Sequence, residues 1–423
     1  MRFLLLITLF INSVVAADSN LSFKIEDLLT NLQTINDPQS TCYVLSPNHQ
    51  FCTESFKATC EKKSADSNGL LELQKKLRSQ FPIDQQYNSY LEAKKSINTP
   101  EGKDRFLLEQ DSLVSLIIGL ENQIFSKYQL SPKDLETHIV KIKNSINTKI
   151  MDHFSSLSKE DTFKLVSMVN SVNVYTLQNL PSGLFPTYLS QCGHDGLKQQ
   201  AFYQEPPANA LIVCAGFILN SLWSGNGSFN SLSFVIAHEL GHSIDFATKN
   251  IPTKVKVTYD NILNCVNKNF IQQPNSLFKS RSQIILYYQD KVSNYNQELL
   301  KASNQIPLNT QKISTLRDRI QILNSYIVEM KSHDENVEMI HFQRREIMAD
   351  YFGNLALGSL LQNIPLNDRA SFLASNIRFS CDKEGDLEHP HGRFRIENIF
   401  RNPDVRRALF CAEVEDTKWC DLN

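Results

Sequence analysis

Apolar residues recur at three- and four-residue spacing over much of the first half of the chain, and this spacing predicts helices. The stretches LLELQKKLRSQF at 70–81 and DSLVSLIIGLENQIF at 111–125 show it most clearly. Ser131 and Pro132 open a further run, SPKDLETHIVKIKNSI, with a residue pair that favours a first helical turn. We therefore expect residues 18–175 to form a mostly helical domain.

The pattern changes in the middle of the chain. Residues 178–203 are rich in Pro, Gly and Ser, which is typical of a loop or of a linker between domains. The β-branched apolar run NALIVCAGFI at 209–218 then predicts a strand. A polar segment follows, in which Ser228, Asn230 or Ser231 can cap the next helix.

A long polar stretch at about 266–340 has helical periodicity and mixed charges, so we interpret it as solvated amphipathic helices. We expect it to be an insertion in a second domain, which covers residues 176–423. Together these patterns predict a mainly α protein with a small β-sheet, of the α+β class.

The overall composition excludes a strongly charged surface. The chain has 423 residues, of which 41% are hydrophobic, so it can bury a sizeable core. Its formal net charge is only -2. Because nucleic-acid-binding proteins usually carry a large positive charge, we expect no nucleic-acid partner.

The N-terminus has the pattern of a secretory signal. Arg2 precedes an apolar run, and Val15 and Ala17 provide the small residues of a cleavage site, so residues 1–17 are predicted to be a signal peptide. The apolar run is shorter than the roughly 20 residues that span a bilayer. We therefore expect a secreted protein with no membrane span in the mature chain. The alternative is an uncleaved signal anchor that tethers the protein to the membrane.

Cysteine and asparagine patterns agree with secretion. The chain has nine cysteines, which in a secreted protein favour disulfides, and the odd number leaves at least one without a partner in the same chain. There is no CxxC pair of the kind that forms thiolate zinc clusters. Asn20 and Asn226 lie in Asn-x-Ser sequons and are candidate glycosylation sites.

Two histidines and a glutamate lie within the apolar stretch FVIAHELGHSIDF at 234–246. Positions i and i+4 of an α-helix share a face, so His238 and His242 can bind one zinc ion. Glu239 would then lie beside the metal and act as the base that activates water. The stretch also fits a core helix with two hydrogen-bonded histidines, but that interpretation leaves Glu239 unexplained.

A catalytic zinc ion needs a third protein ligand and one open position. Glu346, in the sequence EIMAD, is the candidate for that ligand, so we expect one zinc ion per chain. Asp350 follows one helical turn later and can accept a hydrogen bond from a ligating histidine, which fixes the orientation of the ring. Considered alone, EIMAD would instead be a solvated acidic face.

The sequence HExxH followed by ExxAD resembles the glutamate-type zinc metallopeptidases, and the flanking sequence is similar to the neprilysin family. Two further stretches carry this similarity, QAFYQEPPANALIVCAGFI at 200–218 and HPHGRFR at 389–395. The resemblance implies a thermolysin-like zinc peptidase core, capped by a helical domain at 18–175 that roofs the cleft.

The resemblance also implies roles for residues beyond the metal site. Gln200 and Ala201 would bind the substrate backbone on an edge strand. His389 would stabilise the negative charge that develops on the carbonyl oxygen, and Arg395 would bind a substrate carbonyl on the leaving-group side. Histidine and arginine suit the roles of His389 and Arg395, because both side chains are hydrogen-bond donors that can carry positive charge.

Three disulfides are implied by the same resemblance: Cys52–Cys411, Cys60–Cys381 and Cys265–Cys420. Three cysteines are left without an implied role, and one candidate pairing among them is Cys42–Cys192, with Cys214 remaining.

The resulting hypothesis is a secreted zinc metalloendopeptidase that hydrolyses peptide bonds with zinc-activated water. The alternative is a catalytically silent homologue that binds or scaffolds without turnover. Departures from the family pattern support this alternative: Gln200 and Arg345 stand where the family has asparagine, and Cys214 replaces a proline. The peptide substrate and the oligomeric state are left open.

Overall fold

A computed structural model describes a large part of the chain: residues 59–60, 67–154, 156–225, 227–244, 253–271, 281–303, 340–381, 389–390, 392–411 and 420, with isolated helical positions between 313 and 331. Several predicted features lie outside the described residues. They are the signal peptide at 1–17, the sequon residues Asn20 and Asn226, and the cysteines Cys42 and Cys52.

The first half of the described chain is helical, as the apolar spacing predicts. Its helices are α1 (Ser67–Arg78), α2 (Ile83–Lys95), α3 (Pro100–Lys127), α4 (Pro132–His153) and α5 (Lys159–Ser171). The predicted start of α4 is confirmed: the Asp134 carboxylate accepts hydrogen bonds from the backbone N–H and the Oγ of Ser131, at 2.8 and 2.6 Å. Residues only three positions apart in sequence therefore determine where this helix begins.

Within the described ranges the sheet has three short strands, β1 (Asn173–Tyr175), β2 (Ala201–Gln204) and β3 (Ala210–Val213), in the order β1-β3-β2. β3 pairs in parallel with β1 and antiparallel with β2, and Ala201 of β2 lies opposite Val213 of β3. The central strand β3 is fully buried, which explains its unbroken apolar sequence. The predicted strand at 209–218 is therefore only partly right, because a helix, α7 (Ala215–Ser224), begins directly after Cys214.

The prediction of a linker at 178–203 is wrong for most of that stretch. Short 3-10 turns at Leu177–Asn179 and Ser182–Leu184 lead into a helix, α6 (Phe185–Cys192). Phe185 and Tyr188 are buried in the main core. Pro and Gly break the regular spacing there, but the aromatic side chains bury enough apolar surface to hold the segment against the protein.

The second half is built from helices of very different length: α8 (Ser233–Gly241), α9 (Thr253–Ile271), α10 (Arg281–Ser303), α11 (Ile340–Gln362), α12 (Arg369–Ile377), α13 (Gly392–Arg401) and α14 (Pro403–Ala408), with 3-10 turns at Phe229–Leu232, Leu366–Asp368 and Arg378–Ser380. α10 and the isolated helical positions after it fall within the predicted insertion at about 266–340. The described chain is thus mainly α with a small β-sheet. None of its helices combines the length and the apolarity that a membrane crossing requires.

The metal-motif helix α8 lies between two hydrophobic clusters. The larger cluster joins Ile142 of α4 to Ile212 of β3 and Leu240 of α8, so it crosses the predicted domain boundary at 175/176. The smaller cluster places Phe234 of α8 against residues of α12, α13 and α14. Because both halves of the chain bury α8, the helical half and the metal motif share one continuous core.

Disulfides join distant parts of the chain. Two bridges implied by the family resemblance are present, Cys60–Cys381 and Cys265–Cys420. Cys411 is also disulfide-bonded, and Cys52, its expected partner, lies outside the described residues. The candidate pair Cys42–Cys192 is wrong, because Cys192 instead forms a bridge with Cys214. That bridge joins the end of α6 to the start of α7, and no periodicity in the sequence indicates it.

Candidate metal centre

Two glycines allow the helices α8 and α11 to pack closely. A Cβ atom added to Gly241 would lie 3.0 Å from the Cα of Ala349, and one added to Gly353 would lie 3.0 Å from the ring of Phe234. At either distance the neighbouring atoms would have to move by a few tenths of an ångström to accept a side chain. This close packing brings the histidines of α8 against the acidic residues of α11.

Three predicted ligands converge at this contact. His238 Nε2 lies 3.1 Å from Glu346 Oε2 and 3.2 Å from His242 Nε2. His242 Nε2 lies 3.4 Å from Glu346 Oε1. Tetrahedral zinc has metal–ligand bonds of about 2.0–2.2 Å, which place neighbouring ligand atoms about 3.3 Å apart. The spacing of these three side chains therefore fits a single zinc-sized cation.

The hydrogen bonding of the cluster supports the same fit. Glu346 Oε2 is buried and makes no well-aligned hydrogen bond, although His238 Nε2 is close to it. His238 Nδ1 lies 2.8 Å from Asp350 Oδ1. Because a carboxylate can only accept, the proton of neutral His238 belongs on Nδ1, and the lone pair of Nε2 faces the other ligands. A cation would satisfy this lone pair and the buried oxygen together.

Glu239 is a competing candidate for the third ligand. Ligand atoms of His238, Glu239 and His242 all lie within 4.8 Å of one another, so this group could also hold a metal ion. Glu239 Oε1, however, is 4.0 Å from His238 Nε2, farther than the Glu346 carboxylate. Its other oxygen, Oε2, accepts a hydrogen bond of 2.8 Å from the backbone N–H of Tyr203. Glu346 is therefore the carboxylate that lies closer to His238 Nε2, and Glu239 lies farther from it.

The pKa values of His238, His242 and Glu346 are shifted by different amounts because their neighbours differ. Burial lowers the pKa of His238, but the carboxylates of Asp350 and Glu346 outweigh this effect and raise it to about 10, so a cation that binds Nε2 would displace a proton from the ring. For His242, burial and the charge on His238 lower the pKa to about 3. Burial raises the pKa of Glu346, but His238 and the other histidines bring it well below its usual range.

Glu239 has the pKa expected of a proton carrier. Burial is the largest effect, and together with the negative charge of Glu346 it raises the pKa of Glu239 to about 7, although His238 acts in the opposite direction. A group with a pKa near the operating pH can both accept and release a proton. The structure thus puts such a group next to the candidate ligands.

Asp350 is held from both sides. Besides His238, it binds Arg395, whose Nε and Nη2 donate to the two carboxylate oxygens at 2.8 and 2.6 Å. Asp350 and Arg395 are both buried, each with 6% exposure. Burial raises the pKa of Asp350, but Arg395 and His238 outweigh it, so that the pKa is lowered overall. Arg395 is therefore placed to orient His238 through Asp350.

Among the remaining predicted site residues, His389 lies beside the cluster. His389 Nε2 lies 3.4 Å from Glu346 Oε2, and its side chain is 44% exposed. Gln200 precedes β2, and its side-chain amide donates to Gln191 Oε1 at 3.3 Å. Ala201 is the buried first residue of β2. The substrate-binding roles of Gln200 and Ala201 stay predictions.

Sequence reasoning missed two contacts of the site. The Tyr203 contact with Glu239 uses a backbone N–H, so no side-chain type could have indicated it. Arg345 pairs with Glu205, which lies between β2 and β3, and this ion pair connects the β2–β3 hairpin to α11 beside Glu346. Both contacts join the β2–β3 hairpin to the candidate metal centre.

In comparisons with protein-family models, with curated proteins and with solved structures, nothing matches this chain. The functional interpretation therefore depends on the geometry of the candidate metal centre and on its chemistry.

Proposed function

We propose that this chain is a zinc-dependent metallopeptidase that hydrolyses peptide bonds. The observation that carries the proposal is the convergence of His238, His242 and Glu346 at distances suited to one tetrahedral ion, with Glu239 beside them. Zinc bound there would supply a Lewis acid that polarises a carbonyl group and acidifies water.

Glu239 is the general base in this proposal. Its Oε2 is held by the Tyr203 N–H, which leaves Oε1 on the side of the ligand cluster, 4.0 Å from His238 Nε2. From this position Glu239 accepts a proton from the attacking water and passes it to the leaving amine. A pKa of about 7 suits both transfers.

His389 and Arg395 assist in different ways. His389, partly exposed beside Glu346, is placed to donate a hydrogen bond to the carbonyl oxygen as negative charge develops on it. Arg395 is buried against Asp350, so we assign it the positioning of Asp350 and His238. Binding of a substrate carbonyl by Arg395, which the family resemblance implies, would require a donor that Asp350 does not use.

A peptide is the substrate class that fits the neighbouring strand. In the described part of the chain, no strand pairs with the outer edge of β2. The Tyr203 N–H shows that this edge faces Glu239. An extended peptide can add to such an edge through main-chain hydrogen bonds other than that of the Tyr203 N–H, which would lay its scissile bond beside the base. The disulfides are compatible with the secreted location that we propose, since they persist in oxidising compartments.

The test compares zinc-loaded wild type with the variant Glu239→Gln on a broad peptide library. We expect wild type to cleave peptides, chelation to abolish the cleavage, and Glu239→Gln to lower the rate by about 10²–10⁴-fold while zinc stays bound. Glu136→Gln is the matched control, because Glu136 is an exposed glutamate on α4. Cleavage that persists after chelation, or in Glu239→Gln, would refute the proposal.

A catalytically silent binding homologue is the second candidate. The observation that favours it is the hydrogen bond from Gln200 to Gln191, which would compete with one expected anchor for the substrate backbone. Wild-type protein that binds zinc stoichiometrically and retains peptides without cleaving them would establish this alternative.

A further inference from the structure

The helix α8 has no cap of its own. It contains nine residues and begins at Ser233, and the preceding residue, Leu232, has no side chain able to cap it. The first N–H groups of any helix lack partners within the helix, and a buried unpaired N–H destabilises the fold. The expectation that Ser228, Asn230 or Ser231 caps this helix is therefore wrong.

Asn376 of α12 supplies the missing partner from 142 residues away. Its Oδ1 accepts a hydrogen bond of 2.9 Å from the N–H of Phe234, in the first turn of α8. Its Nδ2 donates to the carbonyl oxygens of Asn230 and Phe372, at 2.8 and 2.9 Å. Asn376 is fully buried, so no water replaces these bonds if the side chain is shortened.

A second contact from the helical half reaches the same point. Ser233 Oγ donates to the carbonyl oxygen of Asn230 at 2.9 Å and lies 3.0 Å from Nε2 of His138 on α4. Because the Ser233 proton is used in the first bond, the His138 Nε2–H must be the donor in the second. Asn376 and His138 thus hold the start of α8 from opposite parts of the fold.

This end of the helix is directly coupled to the metal cluster. In an α-helix the N–H of residue i donates to the carbonyl of residue i−4, which connects His238 to Phe234. The residue that Asn376 holds is therefore one turn before the first proposed ligand. A metal site loses affinity when its ligands move by about 0.5 Å, so a shift of this turn reaches the metal.

We propose that Asn376 is a positioning residue for the metal site. Through its bonds to the Phe234 N–H and the Asn230 carbonyl, it sets the position of α8 along its axis and its orientation. The inference rests on the proposed function, since it assumes that His238 and His242 bind a metal. It adds a residue from α12 to the apparatus that positions them.

The test uses Asn376→Ala with Asn402→Ala as the matched control. Asn402 is a buried asparagine that caps α14 with two bonds of the same kinds: its Oδ1 accepts from the Asp404 N–H at 2.9 Å and its Nδ2 donates to the Asn354 carbonyl at 2.7 Å. Zinc affinity is measured by competition with a chelator, well below the unfolding temperature. The Co²⁺-loaded absorption spectrum reports the geometry of the ligands.

We expect Asn376→Ala to lower zinc affinity about tenfold, in the lower part of the range for groups that orient metal ligands, and to shift the Co²⁺ bands. Asn402→Ala is expected to lose similar thermal stability while affinity and spectrum stay as in wild type. Asn376→Asp keeps the acceptor for the Phe234 N–H, so it should recover part of the affinity.

The results distinguish failure of the proposed zinc-dependent function from failure of the positioning role of Asn376. If wild type binds neither Zn²⁺ nor Co²⁺, the proposed function fails and the positioning role fails with it. If wild type binds both but Asn376→Ala matches Asn402→Ala in affinity and spectrum, only the positioning role is overturned. Should Asn376→Ala not fold, the pair Asn376→Asp and Asn402→Asp replaces it, and an unshifted Co²⁺ spectrum in Asn376→Asp overturns the inference.

Discussion

The helices α4 and α8 lie side by side but obtain their structure in different ways. α4 has 22 residues, begins with its own capping box and buries isoleucines at three- and four-residue spacing: Ile139, Ile142, Ile146 and Ile150. α8 has nine residues and no side-chain cap of its own, and it is buried between two clusters. Short helices are marginal without packing. The helix that carries the candidate chemistry therefore depends on its surroundings, whereas α4 is specified largely by its own sequence.

This difference has a practical consequence for mutations. A change on the exposed face of α4 should affect little beyond local stability. A change in a side chain that bonds directly to the start of α8 or to the site should reach the metal ligands, because Asn376 of α12, Glu346 of α11 and the Tyr203 N–H of β2 each hold a different part of the site. The following predictions test this contrast.

The largest effect is expected at the third ligand. Replacing Glu346 by Gln removes a charged ligand, and we expect zinc affinity to fall by more than the roughly 100-fold upper range for residues that only orient ligands. Glu136→Gln, on the exposed face of α4, should leave the affinity unchanged. Chelator competition measures both variants, and unchanged affinity in Glu346→Gln would remove Glu346 from the ligand set.

A smaller loss is expected when Asp350 is replaced by Asn. The amide keeps the shape but loses the charge that orients His238 and pairs with Arg395, so zinc affinity should fall by about 10–100-fold. Asp404→Asn is the control, because Asp404 also has low exposure and pairs with Lys149 and Arg407, away from the metal. Equal zinc affinity in the two variants would contradict the orienting role.

One prediction for the helical half concerns stability rather than zinc binding. It depends on Glu121 of α3, which is buried. Burial raises its pKa to about 8, and the poorly aligned hydrogen bonds from Thr176 and the backbone at 177 and 178 offset only part of this. Since the folded state keeps its proton to higher pH than the unfolded state, stability should fall as pH rises from about 4.5 to about 8.

Replacing Glu121 by Gln should remove this contribution, which is on the order of a few kcal/mol between the two ends of the range. Chemical denaturation of wild type and variant at several pH values measures it. Parallel stability profiles for the two proteins would show that Glu121 is not held protonated by the fold.

The smallest effects are expected for one substitution in α8 and one at the start of α4. Gly241→Ala places a methyl group 3.0 Å from the Cα of Ala349, which should separate α8 from α11, cost about 1–3 kcal/mol and weaken zinc binding. Ser131→Ala removes the side-chain part of the capping box of α4 and should cost about 1 kcal/mol without any effect on zinc. Thermal unfolding with zinc titration measures both. A loss of zinc affinity in Ser131→Ala would mean that α4 and α8 are not independent.

Much of the secondary structure could be predicted because it depends on residues close in sequence. The periodicity of α1 and α3, the Ser131 start of α4 and the position of β3 all follow from interactions over a few residues. The errors occur where distant contacts outweigh local signals. Residues 178–203 resemble a linker in composition, yet Phe185 and Tyr188 draw them into the core.

The candidate site shows the same division. The sequence by itself determined the spacing of His238, Glu239 and His242, because helical geometry places positions i and i+4 on one face. Only the tertiary structure decided that Glu346 approaches them more closely than Glu239, that Tyr203 holds Glu239, and that Asn376 caps the helix. The physical reason is that helical spacing acts over about four residues, whereas these contacts join residues far apart in the chain and form only when the core is packed.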